Sequence, residues 1–210
     1  AEFGLVFAQS PAALESVLAD VLEDARNEMN TLARLVLQRA QAQWRELDEH
    51  IVEYDQRIAA HAKDNPAVKK AATLMGIGPV GASASVATVG DFKQFKNGAQ
   101  FGAWIGLVPR QHSSGGKCNL GGITKRGDTY LRSLLIQGAK SAVMPAHKRR
   151  DPISQWAAAL RARVGWQKAA VAMANKNARI LWAVMTKGEA FDARYVSTKP
   201  NTSAPAAATS

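Results

Sequence analysis

A heptad-spaced apolar seam in the first third of the chain constrains the fold more than any other feature of the sequence. Neither glycine nor proline interrupts residues 30–62, so this segment can form one long helix. Its apolar positions alternate between spacings of four and three residues, the a/d pattern of a coiled coil or of an antiparallel helical hairpin. These positions are Ala33, Leu37, Ala40, Trp44, Leu47, Ile51, Tyr54 and Ile58. Such a seam requires a partner helix, which we expect from residues 11–27 or from a second copy of the chain.

The remaining sequence predicts a compact helical module and a tail. Asn65-Pro66 ends the long helix, and further helices are expected over 66–75, 79–89, 97–106, 129–144, 153–163 and 166–187. The polar, glycine-rich segment 109–124 is predicted to be a loop, and no strand is predicted. We therefore expect an all-α, or nearly all-α, fold in three parts: an oligomerising helical hairpin or coiled coil over 1–64, a compact domain over 65–192 and a disordered tail over 193–210.

The composition excludes several classes of protein. No run approaches the roughly 18 apolar residues that a membrane span needs. A single cysteine, Cys118, excludes an internal disulfide framework and a cysteine-cluster zinc site, and it fits a reducing cytosol. The sequence begins at Ala1 with neither an initiator methionine nor a signal-peptide pattern. We therefore expect a cytoplasmic, C-terminal piece of a longer protein.

The formal net charge of +10 is distributed unevenly. Residues 1–60 hold 11 acids and 5 bases, a net charge of −6, whereas residues 61–210 hold 6 acids and 22 bases, a net charge of +16. A one-sided field of this kind attracts polyanions, while solubility alone does not require clustered charge. An anionic membrane surface is less favoured because the basic stretch lacks a strong amphipathic anchor. The charge pattern therefore predicts a nucleic-acid partner.

The sequence Gly76-Ile77-Gly78-Pro79 has the shape of a helix-hairpin-helix turn. Its two glycines permit a tight turn with positive φ, and Ile77 can insert into the core. The following helix would present free backbone N–H groups and its positive dipole end to a phosphate. Such a turn would hold a nucleic-acid backbone without reading bases, although an ordinary tight turn between two helices explains it almost as well.

The segment 106–128 combines hydroxyl groups, glycines and bases, and several enzyme motifs compete for it. The residue order does not match a Walker phosphate loop. The S-G-G-K sequence at 114–117 matches the S-x-x-K of penicillin-binding enzymes, but Gly-Gly disfavours the helical turn that this motif needs, and the companion S-D-N and K-T-G motifs are missing. Cys118 with His112 offers only weak support for a thiol nucleophile. A zinc deaminase is excluded because the sequence contains no H-x-E…C-x-x-C pattern.

A serine hydroxyl among cations remains as the chemistry of this segment. Arg110, Lys117, Lys125 and Arg126 could hold a phosphodiester and offset the charge that builds on its oxygens. Attack of the serine on phosphorus would conserve the phosphodiester energy in a phosphoserine link, which suits strand exchange rather than hydrolysis. A non-catalytic phosphate cradle explains the same residues at least as well, so both hypotheses stay open on the chemistry alone.

A series of matches to one known family runs from Leu74 to about Ala139. The matching sequences are Gly76-Ile77-Gly78-Pro79, Val89-Gly90-Asp91, Phe95, Phe101, 104–110, 114–117, 122–128 and Leu131-Arg132. In these sequences the chain resembles the C-terminal transposase domain of the IS110 family of insertion sequences. The segments 110–117 and 174–179 resemble its IS1111 branch. The resemblance also covers the coiled coil and extends to about residue 192.

The resemblance implies a DNA transposase or recombinase that acts with an element-encoded bridge RNA. In the family pattern, a RuvC-like domain with four acidic metal ligands precedes the coiled coil, and this sequence lacks that domain. We therefore expect no cofactor and no metal site in this chain, with a divalent metal such as Mg²⁺ in the RuvC-like domain. The family's catalytic serine precedes the first glycine of the S-G-G-K stretch, which corresponds to Ser114, with Ser113 as the alternative. The seam would join two or four protomers.

We therefore predict the C-terminal part of a serine-dependent bacterial transposase, associated with the nucleoid and inactive in strand cleavage by itself. Ser114 is the expected nucleophile. The expected nucleic-acid contacts are Arg110, Lys117, Lys125, Arg126, Arg132, Gly76 and Gly78. The alternative is a non-catalytic module for nucleic-acid binding and oligomerisation, and a Ser-Lys acyl hydrolase is the least favoured hypothesis.

Overall fold

A computed structural model describes the backbone of residues 10–114, 117–188 and 191–192, together with their side chains outside 112–120. The predicted disordered tail at 193–210 lies outside the described residues. The chain forms two compact units, residues 1–57 and 58–210. The helices are α1 (Pro11–Glu23), α2 (Thr31–Asp64), α3 (Pro66–Ala71), α4 (Pro79–Val89), α5 (Gly98–Ile105), α6 (Thr129–Val143), α7 (Pro152–Val164) and α8 (Trp166–Lys187). The strands are β1 (Pro109–Ser114) and β2 (Lys117–Ile123), and 3₁₀ turns lie at Phe92–Gln94 and Ala146–Lys148.

The first unit contains α1 and most of α2. Ser10 caps α1 by accepting the Ala13 N–H at 3.2 Å. The helix ends at Glu23 rather than at residue 27 because polar side chains take over the backbone groups: Asp24 accepts the Arg26 N–H at 2.9 Å, and the Asn27 amide donates to the Val21 carbonyl at 2.6 Å.

The predicted long helix is confirmed as α2, within two residues at each end. Its seam is only partly covered in the first unit. Ala33, Leu37 and Trp44 are half-buried, whereas Leu47, Ile51 and Tyr54 are 57%, 57% and 59% exposed. The second half of the seam is therefore available to a partner helix.

The second unit is organised around α8, which packs against α5, α6 and α7. Small residues on α8, including Ala169, Ala174 and Ala178, are fully buried and allow its neighbours to approach closely. The indole N–H of Trp182 donates to the carbonyls of Phe92 and Phe95, both at 3.1 Å. These contacts fix the 3₁₀ turn against α8.

The prediction of a loop at 109–124 was wrong, because β1 and β2 form an antiparallel hairpin there. Little in this segment indicates strands, since it has few apolar residues and no alternation of apolar and polar positions. This hairpin is the only sheet among the described residues. The predicted all-α or nearly all-α class is confirmed.

Within the part of the chain that the structure describes, no helix has the combined length and apolar character needed to cross a membrane.

Candidate nucleic-acid interface

The hairpin carries the predicted serine at its tip. Its backbone register pairs Ser114 with Lys117, Ser113 with Cys118 and His112 with Asn119. The pairing is irregular between Pro109 and Gln111, near the base of the hairpin. The side chains of Ser113, Ser114 and Lys117 lie outside the described set, so the structure places these residues by backbone register only.

The base of the hairpin is fixed by close backbone contacts with the end of α5. The N–H groups of Thr124 and Lys125 donate to the carbonyls of Val108 and Gly106 at 2.9 and 3.2 Å. Gly106 has φ +81°, and a Cβ there would lie 1.9 Å from the Arg126 carbonyl oxygen. Gly127 has φ +91°, and a Cβ there would lie 1.8 Å from the Trp104 carbonyl oxygen. Only glycine fits these two crossings.

Arg132, one of the predicted phosphate contacts, lies under this base. It is only 8% exposed. Its guanidinium donates to the carbonyls of Ile105 and Arg126 at 3.0 and 3.4 Å and to the Thr129 hydroxyl at 3.1 Å. Arg132 therefore joins the end of α5 to the segment that follows β2.

The structure describes three further cations of the predicted site, and all three lie at the surface. Arg110, Lys125 and Arg126 are exposed. The Arg110 guanidinium lies 3.5 Å from the Thr124 carbonyl oxygen, which brings it beside Lys125. Lys125 adopts a left-handed conformation with φ +56°, an uncommon backbone for a non-glycine residue. Such outliers cluster at functional sites.

The Gly-Ile-Gly turn packs into the core of the second unit. Gly76 has φ +82°, and a Cβ there would lie 2.4 Å from the Gly138 carbonyl oxygen of α6. Ile77 is buried, as predicted. Gly78 is the N-cap of α4 and has open space around its Cα. Gly76 is therefore required by a close approach of two backbones, while Gly78 leaves the start of α4 accessible.

A groove beside the start of α4 adds two bases that sequence reasoning missed. It has a volume of about 310 Å³ and is lined by Ala59, Ala62, Lys63, Lys69, Ala72, Thr73 and Pro79. Lys63 and Lys69 are exposed. The exposed bases and the positive end of the α4 dipole give this groove the electrostatics of an anion-binding surface.

Three carboxylates of the second unit serve as helix caps. Asp91, Asp128 and Asp151 each accept a backbone N–H of the helix that follows, at 2.9, 2.6 and 2.9 Å. Burial raises the pKa of Asp151, but hydrogen bonds from the backbone and side chain of Ser154 outweigh it, so the pKa lies below its ordinary value of 3.8. These acids stabilise helix ends. The net charge of residues 61–210 is +16 with these acids included.

A further cation lies between α7 and α8. The Lys176 ammonium is 4.7 Å from the centre of the Trp156 ring. Burial and, secondarily, the positive charge of Arg179 lower the pKa of Lys176 below 10.5. The sequence linked Lys176 and Arg179 to a family branch but predicted no role for them.

The arrangement can hold a phosphate backbone at several points and present a hairpin to it. Among the described residues, no group of three or more His, Cys, Asp or Glu side chains is placed to hold a metal ion. These features define a helical, basic protein whose surface suits an anionic ligand.

Comparison with known proteins shows which family part of the chain resembles. Residues 68–154 match the model of the transposase IS116/IS110/IS902 family. The matched region contains the Gly-Ile-Gly turn, the hairpin and Arg132, so the expected resemblance is confirmed. Residues 68–154 are therefore similar to the transposase domain of the IS116/IS110/IS902 family.

Individual relatives extend the similarity over most of the chain. A Pseudomonas aeruginosa protein named "Probable family 20 transposase" is 41% identical over 182 residues, which is 87% of this chain and 49% of that protein. The transposase for insertion sequence element IS1111A of Coxiella burnetii is 38% identical over 90% of this chain and 52% of its own length. The transposase for element IS1328 of Yersinia enterocolitica is 35% identical over 90% and 56%, respectively. The chain spans about half the length of the curated relatives it matches.

Proposed function

We propose that this chain is the part of an insertion-sequence transposase that binds DNA and presents Ser114 as the nucleophile for strand exchange. The match of residues 68–154 to the transposase family carries this proposal. The basic surface of the second unit and the fixed base of the hairpin support it.

The proposed chemistry is a transfer of the phosphodiester to serine and back. The Ser114 hydroxyl oxygen attacks the phosphorus, a sugar oxygen departs as the leaving group, and the proton lost by the serine ends on that sugar oxygen as a free hydroxyl group. The hydroxyl group of an incoming strand then attacks the phosphoserine, forms a new phosphodiester and releases the serine. Lys117, which pairs with Ser114 in the backbone register, would offset charge on the phosphate oxygens. Arg110, Lys125 and Arg126 would hold neighbouring phosphates.

The start of α4 is proposed as a second contact with the DNA backbone. Gly78 provides no side chain to cap the helix, so backbone N–H groups there can donate to a phosphate. Lys63 and Lys69 line the adjacent groove and would attract the same anion. This contact would hold DNA independently of its sequence.

The wider assembly follows from the family resemblance. A second copy of the chain would cover the exposed Leu47, Ile51 and Tyr54 of α2, giving a dimer or tetramer. A bridge RNA is the proposed second nucleic-acid partner. A divalent metal is assigned to a RuvC-like domain and to no residue of this chain. The protein would then act in the bacterial cytoplasm, associated with the nucleoid.

The decisive test is Ser114→Ala in a full-length transposase that contains this chain. We expect strand exchange to be lost while DNA affinity stays within about twofold, since one hydroxyl contributes little to a contact made by many cations. Ser113→Ala is the matched control, because it removes a neighbouring hydroxyl from the same strand. Full exchange by the Ser114 variant with loss in the Ser113 variant would transfer the role to Ser113.

The alternative is a non-catalytic module for nucleic-acid binding and oligomerisation. A covalent protein–DNA adduct at Ser114, trapped with a nicked substrate and located by peptide mass spectrometry, would exclude it. Exchange that survives in both serine variants would favour it. Labelling of Ser114 by a fluorophosphonate would instead indicate the Ser-Lys hydrolase that the sequence disfavours.

A further inference from the structure

The base of the hairpin holds exposed cations on a fixed backbone. Lys125 and Arg126 follow directly on β2 and are both exposed. The backbone there is held by the Lys125 N–H bond to Gly106 and by the Arg132 bond to the Arg126 carbonyl. Asp128 is the only acid between residues 110 and 150, and its carboxylate caps α6 at 2.6 Å. These cations are therefore available to an anionic ligand.

Tyr130 adds an exposed aromatic ring four residues after Arg126 in the sequence. It is the second residue of α6, two positions after the Asp128 cap, and it is 61% exposed. Its position on the backbone is fixed, because its neighbour Thr129 accepts a hydrogen bond from Arg132 and Leu131 is fully buried. Because this backbone is already ordered, stacking of the ring on a ligand requires ordering of the side chain alone.

The ligand that uses both features is an unpaired nucleotide. Duplex DNA offers its phosphates to cations, but its base faces are stacked inside the helix and cannot reach a protein ring without being flipped out. Single strands offer both a charged backbone and open base faces, and proteins bind them with basic grooves and aromatic rings. We propose that the hairpin base binds an unpaired nucleotide of a DNA strand, with its base stacked on Tyr130 and its phosphates held by Lys125 and Arg126.

This inference rests on the proposed function, and it adds that the DNA bound at the hairpin base is unpaired. A strand rises about 3.3 Å per residue, so Ser114 lies roughly 16 Å along β1 from Pro109. At the duplex rise of about 3.4 Å per nucleotide this distance corresponds to about five nucleotides, and a more extended unpaired strand would cover it with fewer. For a strand that follows the hairpin, the unpaired nucleotide would therefore lie at most about five nucleotides from the phosphate that Ser114 attacks.

The test is equilibrium binding of the whole chain to three oligonucleotides of one sequence: single-stranded DNA, duplex DNA and single-stranded RNA. We expect Tyr130→Ala to weaken single-stranded DNA binding about tenfold and duplex binding less than about twofold. Tyr130→Phe should bind single-stranded DNA like the wild type, because it keeps the ring. Met144→Ala is the control, since it removes a large apolar side chain that is 59% exposed directly after the other end of α6.

The possible outcomes separate this inference from the proposed function. If Tyr130→Ala loses equal affinity for single-stranded and duplex DNA, or no affinity for single-stranded DNA, the stacking role of Tyr130 is overturned. Duplex binding by the wild type would still support the proposed function in that case. A loss confined to RNA would overturn the assignment to DNA. A wild-type chain that binds none of the three oligonucleotides would overturn both. Tyr130→Ala must keep the helical circular dichroism of the wild type; because the ring is mainly solvent-exposed, we expect that it does.

Discussion

Arg132 illustrates how a residue can match a nucleic-acid-binding motif and also be required by the fold. The family resemblance suggested a phosphate contact. In the structure its guanidinium is buried and bonded to two carbonyl oxygens and one hydroxyl oxygen rather than to a carboxylate. Arginine suits this task because its planar donors can reach several acceptors at once. Its position makes it a support for the hairpin base.

The supporting role predicts a large loss of stability for Arg132→Met. The substitution keeps an apolar stem but leaves the carbonyls of Ile105 and Arg126 without their donor, so we expect the free energy of unfolding to fall by about 2–3 kcal/mol. Urea denaturation followed by circular dichroism measures it. Arg126→Met, at an exposed neighbouring base, should cost less than about 0.5 kcal/mol. Wild-type stability of the Arg132 variant together with weaker DNA binding would identify a phosphate contact instead.

At the scale of elements, the sequence predicted those with strong local signals. Helices α4 and α8 were predicted at their observed bounds, since Pro79 begins one and the apolar period defines the other. The hairpin was missed because its pairing depends on backbone hydrogen bonds and on contacts with α5. Ser114 was predicted as the nucleophile through resemblance to a family, and its place at a strand end had no local signal.

Contacts between distant residues set the limit of sequence reasoning about the site. The glycine at 76 was attributed to a tight turn, yet its close approach to Gly138 depends on packing across 62 positions of the chain. The role of Tyr130 as an exposed ring was equally invisible, because a tyrosine in an apolar helical pattern is normally assigned to the core. Only the tertiary structure shows that Gly76 is required for packing and that the Tyr130 ring is exposed.

The cap of α7 predicts a pH-dependent contribution to stability. The pKa of Asp151 is lowered in the folded chain, so its carboxylate stabilises the fold above the ordinary pKa of 3.8 and loses this effect as pH falls through the folded pKa. Asp151→Asn can still cap the helix but lacks the charge that favours the helix dipole. We expect the variant to be about 0.5 kcal/mol less stable at pH 7, and the difference to shrink as pH falls below 3.8 towards the lower pKa of the folded state.

Unfolding curves of both proteins between pH 7 and pH 3 measure this difference. Asp48→Asn is the control, because Asp48 is exposed on α2 and caps no helix. A stability difference at Asp151 that stays constant over the whole pH range would contradict a role for the charged carboxylate.

At the scale of the whole molecule, charge and apolar surface are divided between different regions. Residues 1–60 have a net charge of −6 and include most of the exposed seam, while residues 61–210 have a net charge of +16. Repulsion from DNA would weaken any role of the acidic region in direct backbone contact. Oligomerisation and DNA binding are therefore expected to depend on separate surfaces.

This division predicts where the salt dependence of DNA binding originates. Each phosphate contact releases counterions, so the logarithm of the affinity falls linearly with the logarithm of the salt concentration. Arg126→Gln should reduce that slope by about one and weaken binding to duplexes of unrelated sequence equally, because a phosphate contact carries no sequence information. Arg39→Gln, the same change at an exposed base of the acidic region, should leave the slope unchanged. The measurement is the DNA affinity of each variant at several salt concentrations. Equal effects of the two substitutions on the slope would mean that the whole chain holds the DNA, rather than its basic region alone.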